Sequence, residues 1–313
     1  MRAIWSFWTK PFRARQHYQW LRPEHYFLSW VLSIQTARKH FAKTALYTDD
    51  EGARLLVDGL SLEFDQVSTE LNALSKFDEK FWALGKVVTY GAQTEPFVHL
   101  DSDVFLWKPL PARLTSAPLL AQCPDYFVSG ASYYRPEALE RSISLSGNIW
   151  LPAEWVWYRA ASSAQRGESC GIFGGHRLDF IQHYARQALK LLEHPDNARG
   201  WLMMDSKTEK NILFEQYLLA ACIAYHQHHS NSPYADIEIK YLFESFDEAF
   251  HDVSAERAGY THLISNSKGN PEIAGDLEAR VKQEYPDYYD RCLKLHGKDV
   301  PRTRSFKATV GNA

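Results

Sequence analysis

Phe97-Val98-His99-Leu100-Asp101-Ser102-Asp103-Val104-Phe105-Leu106 is the stretch that decides how this chain folds. Residues 96–100 form a short apolar run that reads as a buried strand, and it passes directly into an acidic turn. Trp107-Lys108-Pro109-Leu110-Pro111 ends the run, because proline cannot continue a central ladder. With a side-chain period of two, Asp101 and Asp103 would point the same way if the strand stayed extended. Two carboxylates placed together repel unless a cation lies between them or one takes a proton. Oxygen ligands on a short turn suit Mg²⁺ or Mn²⁺, with phosphate oxygens filling the open positions. Open parallel sheets bind ligands at the carboxyl ends of their strands, where this pair falls. The competing reading makes the two aspartates turn carboxylates that cap the next segment.

The flanking sequence alternates strand and helix signals. Residues 3–8 and 44–47 read as strands, and 25–40 as a helix with Phe27, Trp30, Val31 and Ile34 at helical spacing. Residues 51–60 and 78–90 also read as helices, the first closed by Gly59. This rhythm predicts an α/β domain with parallel strands. Further strands are expected at 119–122, 170–175, 234–242 and 260–264, and further helices at 154–161, 178–192, 210–225 and 276–285. No repeat or low-complexity linker interrupts the chain. It is therefore read as one domain over 1–313, with a nucleotide-binding half at about 1–115, an acceptor-side half at about 116–290 and a basic tail at 291–313.

Composition bounds the function. Aromatics make up 14% of the 313 residues, and such rings suit sugar and base faces as well as cores. A net charge of −3 argues against nucleic-acid binding, which needs a concentrated basic surface. Cys123, Cys170, Cys222 and Cys292 are dispersed, with no CxxC pair, so a reducing cytoplasm is expected. Residues 1–8 lack a signal-peptide pattern, and no apolar run is long enough to span a membrane. The basic C-terminus (Arg291, Lys294, Lys298, Arg302, Arg304, Lys307) limits any membrane contact to a peripheral one. His226, His228 and His229 have no carboxylate or cysteine partner at ligand spacing and read as a polar loop.

A helix containing Lys86, an aliphatic strand, and then Asp-x-Asp-Val-Phe-Leu and a proline together resemble glycosyltransferases of the GT-A fold. The likeness is to the retaining family that includes glycogenin and bacterial lipooligosaccharide galactosyltransferases. It implies a Rossmann-like, mostly parallel sheet with flanking helices. It also implies transfer of a sugar from a nucleotide-diphosphate donor, by family habit a UDP-sugar, with retention of stereochemistry. The acceptor is left open: a glycan, lipid-linked sugar, small molecule or peptide. By the resemblance, Asp101 and Asp103 are two ligands of Mn²⁺ or Mg²⁺. Thr261-His262-Leu-Ile-Ser265-Asn-Ser-Lys268 keeps the family's His and Lys spacing, which makes His262 the third ligand and Lys268 a diphosphate contact. Ser265 replaces a glycine of that motif, and Gly269-Asn270 replaces Pro-Trp. His296 in Leu295-His-Gly-Lys298 is the rival third ligand, and a buried, hydrogen-bonded His262 is the plain alternative.

Leu213-Phe214-Glu215-Gln216-Tyr217 resembles the family's Asp-Gln-Asp segment. By that match Glu215 lies near the transferred sugar and Gln216 aims its amide at the anomeric centre, while Tyr217 departs from the second acid. Cys170–Gly175 resembles the strand that walls the acceptor side, with Gly174 and Gly175 near ligand. Ser6 and Phe7, and Thr48 and Asp49, end the first two strands, where GT-A enzymes hold base and ribose. Lys86 is expected to meet the donor, unless it is simply a solvated lysine. Two other function classes compete. One is a non-catalytic sugar-nucleotide-binding relative. The other is a haloacid-dehalogenase-type phosphotransferase, whose nucleophilic Asp normally ends the first strand, well before position 101.

Overall fold

Strands apolar along their whole length need a cover on both faces, and the central strands here have one. The computed structural model describes residues 1–14, 19–127, 133–145, 147–161 and 165–299, the last four of them in backbone only. It contains strands β1 (Arg2–Phe7), β2 (Thr44–Thr48), β3 (Gln66–Ser68), β4 (Phe97–Leu100), β5 (Val104–Leu106), β6 (Leu119–Phe127), β7 (Gln165–Gly175), β8 (Ile239–Tyr241) and β9 (Tyr260–His262). Seven of them form one sheet in the order β3-β2-β1-β4-β7-β6-β8. β1 pairs in parallel with β2 and β4, β2 with β3, and β6 with β8. β7 is antiparallel to both of its neighbours, so among the described strands it alone runs against the common direction of the sheet. The fold is thus α/β with a mostly parallel sheet, compatible with a Rossmann-like arrangement.

Alternation along β1 feeds two cores. Ile4 joins one face with Leu84, Val87, Ile181 and Tyr184, while Ala3, Trp5 and Phe7 join the other with Phe27, Trp30, Val31 and Ile34. Helix Pro23–Arg38 therefore packs on one side, and helices Leu84–Gly91 and Leu178–Glu193 on the other. β5 and β9 form a separate two-stranded ladder at the carboxyl edge of β4.

Several elements differ from expectation for local reasons. The segment 78–90 is helical only over Leu84–Gly91, because the Asp78 carboxylate accepts from the Lys80 amide at 3.0 Å and makes a turn instead. Residues 51–60 divide into an α-turn, Asp50–Ala53, and a π-turn, Arg54–Gly59. The strand expected at 234–242 contracts to Ile239–Tyr241. Helix Pro271–Glu284 begins earlier than expected, since Asn270 caps the Glu272 and Ile273 amides. A further helix, Pro286–Asp299, follows it. The side chains of His296 and Lys298, and all of Arg302, Arg304 and Lys307, lie outside the described residues.

Candidate metal and nucleotide site

The acidic tripeptide sits where the chain leaves β4 and enters β5. It is a turn, closed by the Val104 amide donating to the Asp101 carbonyl at 3.0 Å and anchored by the Asp101 amide on the Gly171 carbonyl at 3.0 Å. The two carboxylates converge through this turn, not through an extended pleat. The ladder between β5 and β9 pairs Val104 with His262, which sets the imidazole against Asp103. His262 Nε2 lies 3.7 Å from an Asp103 oxygen and 4.0 Å from an Asp101 oxygen. One donor atom from each of the three residues fits within 4.8 Å of the others. Ligands about 2.1–2.2 Å from one ion stand roughly 3.0 Å apart when adjacent and about 4.3 Å when opposed, so a small contraction suffices to hold a divalent cation.

The imidazole is prepared for that role. Its Nδ1 donates to Gln122 Oε1 at 2.7 Å, which leaves the Nε2 lone pair facing the carboxylates. Tyr260 Oη donates to the same Gln122 oxygen at 2.9 Å and fixes the amide. Burial holds His262 down to about 4, so it is neutral near pH 7. Gln122 owes its place to an irregularity in the β6–β7 pairing: Ala121 faces Phe173, yet Cys123 faces Ser169. Gly171 occupies the resulting bulge, and a Cβ there would stand 2.2 Å from Gln122 Oε1 and 2.5 Å from His262 Nδ1. Gly171→Ala is therefore expected to push His262 off its orienting partner. Divalent-metal affinity should fall by about 10–100-fold, read by calorimetry, with far-UV circular dichroism unchanged. Wild-type affinity in this variant would show that the Gln122 contact does not matter.

Two lysines neutralise the acids. Lys268 Nζ sits 2.6 Å from Asp103 Oδ2, and Lys86 Nζ sits 2.9 Å from Asp101 Oδ1 and 2.5 Å from Glu215 Oε1. Burial works against charging Asp103, but Lys268 and His262 outweigh it and keep its carboxyl below the ordinary range. Asp101 goes the other way: burial, with Asp103 and Glu215 nearby, pushes it up to about 7 despite Lys86. Lys86 is desolvated, yet Asp101 and Glu215 hold its ammonium form well above the usual range.

Asp101, Asp103, His262 and the two lysines line a cavity of about 680 Å³, within the range of about 300–1,000 Å³ typical of small-molecule sites. Phe7, Trp8, Phe12, Trp20, Tyr26 and Trp30 form an aromatic wall on one side. Ser6, Lys86, Gln216 and Lys268 also face the cavity. Ser6 Oγ pairs with His99 Nε2 at 2.9 Å, and His99, two residues before Asp101 on β4, is a lining residue that sequence reasoning passed over. Gln216 accepts from Tyr134 Oη. It sits on a π-turn, Leu213–Tyr217, that interrupts the helix expected over 210–225; such turns recur at functional sites.

Other residues expected at the ligand lie elsewhere. Asp49 spends its carboxylate on Thr9 N, Thr9 Oγ1 and Gly52 N, all at 2.7–2.8 Å, and Thr48 Oγ1 donates to the Phe7 carbonyl at 2.6 Å. Both are used up in joining β1, β2 and the following turn. Gly174 and Gly175 stand at the far end of β7, opposite Val98 and Phe97, and a Cβ on Gly174 would stand 2.0 Å from the Phe97 carbonyl oxygen, so the position admits none. Glu215 is fully buried behind Lys86 and does not reach the cavity. Tyr217 is buried among Phe127, Trp155 and Tyr158.

Fold and site together define an α/β protein in which two carboxylates and an imidazole, a group that could hold a metal ion, meet in an aromatic cavity at the carboxyl edge of the sheet. The chain belongs to a family of unknown function (DUF6734), whose model matches residues 1–295. No curated protein matches it in sequence. Among the described residues no helix is long and apolar enough to cross a membrane, and all four cysteines are free and buried.

Proposed function

We propose that this protein is a GT-A-type glycosyltransferase that moves a sugar, with retention, from a nucleotide-diphosphate sugar, a UDP-sugar by the family likeness, to an acceptor hydroxyl. The observation that carries the reading is the meeting of Asp101, Asp103 and His262, from two separate strand ends, beside Lys268 in one cavity. Ser265 adds support: it holds φ at 47°, a left-handed conformation that favours the glycine of the related motif.

Asp101, Asp103 and His262 would hold Mn²⁺ or Mg²⁺, which when bound neutralises charge on a diphosphate leaving group. Lys268 offers the diphosphate a second positive charge from the same wall. The aromatic wall supplies faces for the base, and Ser6 supplies a hydroxyl at the end of β1. Gln216, whose amide oxygen accepts from Tyr134 and which lines the cavity, would face the anomeric carbon as positive charge develops there. The anomeric carbon–phosphate oxygen bond breaks as the acceptor oxygen bonds to that carbon, and the acceptor proton leaves with the diphosphate. Glu215 acts behind the site by holding Lys86 against Asp101, so no buried carboxylate is asked to be the nucleophile. The free, dispersed cysteines fit a reducing cytoplasm.

Calorimetry with Mn²⁺ and UDP, run beside an assay for sugar-nucleotide consumption, tests this reading. Metal-dependent UDP binding with turnover supports the enzyme. Binding without turnover would leave a sugar-nucleotide-binding relative instead, and absence of both would sink the proposal. A pH dependence follows from Asp101. In the metal-free chain its carboxyl is protonated below about 7, so a cation must displace that proton. Mn²⁺ affinity should therefore be about tenfold weaker at pH 6 than at pH 8, and level above pH 8. A flat calorimetric profile, with no proton release, would remove Asp101 from the ligand set.

A further inference from the structure

A second group of metal-ligating side chains lies away from the cavity, on three helices packed against one face of the sheet. Glu154 belongs to helix Ala153–Ala161, His183 to Leu178–Glu193 and His226 to Leu218–His228. The sequence places His226 in a polar loop with no carboxylate or cysteine partner at ligand spacing. The structure instead buries it, and its partners come from the other two helices. His183 Nε2 lies 2.7 Å from Glu154 Oε1, His226 Nε2 lies 3.2 Å from His183 Nε2, and His226 Nε2 lies 3.6 Å from Glu154 Oε1.

We propose that Glu154, His183 and His226 bind a second divalent ion, of the zinc class, that clamps these three helices together. The triangle of donor atoms has the dimensions of one tetrahedral face: ligands 2.0–2.1 Å from zinc stand about 3.3 Å apart. With both imidazoles neutral and His226 donating to Ser232, the protons do not suffice. A neutral imidazole carries one ring proton, and His226 Nδ1 already contacts Ser232 Oγ at 2.6 Å. If His226 spends its proton there, the single proton of His183 must serve both the Glu154 oxygen and a bare nitrogen. An ion inside the triangle satisfies all three atoms at once. Ser232 then plays the outer partner that fixes a liganding imidazole.

The surroundings fit a structural ion with one position left open. The Glu154 and His226 side chains are 6% and 8% exposed, while His183 reaches 19% and faces the solvent side. Phe180 and Tyr234 box the imidazoles, with ring centroids 5.0–6.0 Å away. Two imidazoles and one carboxylate make a borderline donor set that favours Zn²⁺ over Mg²⁺ or Mn²⁺. The cavity triad has the opposite balance, so the two sites should sort metals differently. This second site does not depend on the glycosyltransferase reading.

The test uses the full chain with Asp101→Asn and Asp103→Asn, which disable the cavity triad, stripped with EDTA and titrated with Zn²⁺ or Co²⁺. One zinc per chain is expected, with a tetrahedral Co²⁺ visible spectrum and a Tm raised by roughly 5 °C or more at a hundredfold excess over Kd. Adding His226→Asn should abolish the Co²⁺ spectrum and weaken zinc on the order of a hundredfold or more, and Ser232→Ala about tenfold. His183→Gln keeps a donor for Glu154, so a purely hydrogen-bonded cluster would survive it while metal binding would not. No zinc bound, or zinc affinity untouched in both His183→Gln and His226→Asn, overturns the proposal.

Discussion

Asp103→Asn should reduce metal-dependent donor turnover by about a thousandfold, equivalent to roughly 4 kcal/mol of transition-state stabilisation. The carboxylate is nearly inaccessible and faces His262 at 3.7 Å and Lys268 at 2.6 Å. Asparagine keeps the shape and one oxygen but removes the charge that a hard cation requires. Calorimetry should show Mn²⁺ binding at the cavity lost, while denaturant unfolding changes little, because Lys268 is 20% exposed and can turn to solvent. Full turnover in Asp103→Asn, or in wild-type protein held in EDTA, would contradict the assignment.

The second large effect concerns stability. Lys86 is flanked by Asp101 and Glu215, and Glu215 is completely buried, its second oxygen without a hydrogen-bond partner among the described residues. Lys86→Met should cost about 3–5 kcal/mol, because it leaves an uncompensated charge in the interior. Adding Glu215→Gln removes that charge, so the double variant should recover most of the loss in urea unfolding, far from additively. Additive losses would mean that Lys86 and Glu215 act independently. Since Lys86 also holds Asp101, both variants should bind divalent metal differently from wild type even where the fold is restored.

Much of the site's outline is legible in the sequence, and the reasons are local. An aliphatic strand that runs into Asp101-Ser102-Asp103 announces a strand end with acids on it, and the alternation around 1–60 announces parallel strands. The spacing from His262 to Lys268 singles out one late segment, which the β5–β9 ladder brings to Asp103. What stays hidden depends on contacts made across the sheet. Nothing in 165–175 betrays that β7 runs backwards, since buried strands of either direction share one apolar pattern. Gln122 and Gly171 matter because of a pairing irregularity that no linear spacing encodes. Thr48 and Asp49 are strand-end residues of ligand-binding type whose polar atoms are satisfied by neighbouring backbone. Glu154, His183 and His226 come from three helices, and helix packing, not periodicity, assembles them.

The widened helical turn at Leu213–Tyr217 carries a consequence for how this protein can change. A π-turn holds one residue more than a regular ladder needs, and an α-helix advances about 100° per residue. Deleting any one of those five residues would give a smoother helix and better backbone bonding. It would also swing either the residue that buttresses Lys86 or the amide that faces the cavity around to the wrong side. At this point backbone regularity and chemistry pull in opposite directions, so single-residue indels should be excluded from this segment more strictly than substitutions are.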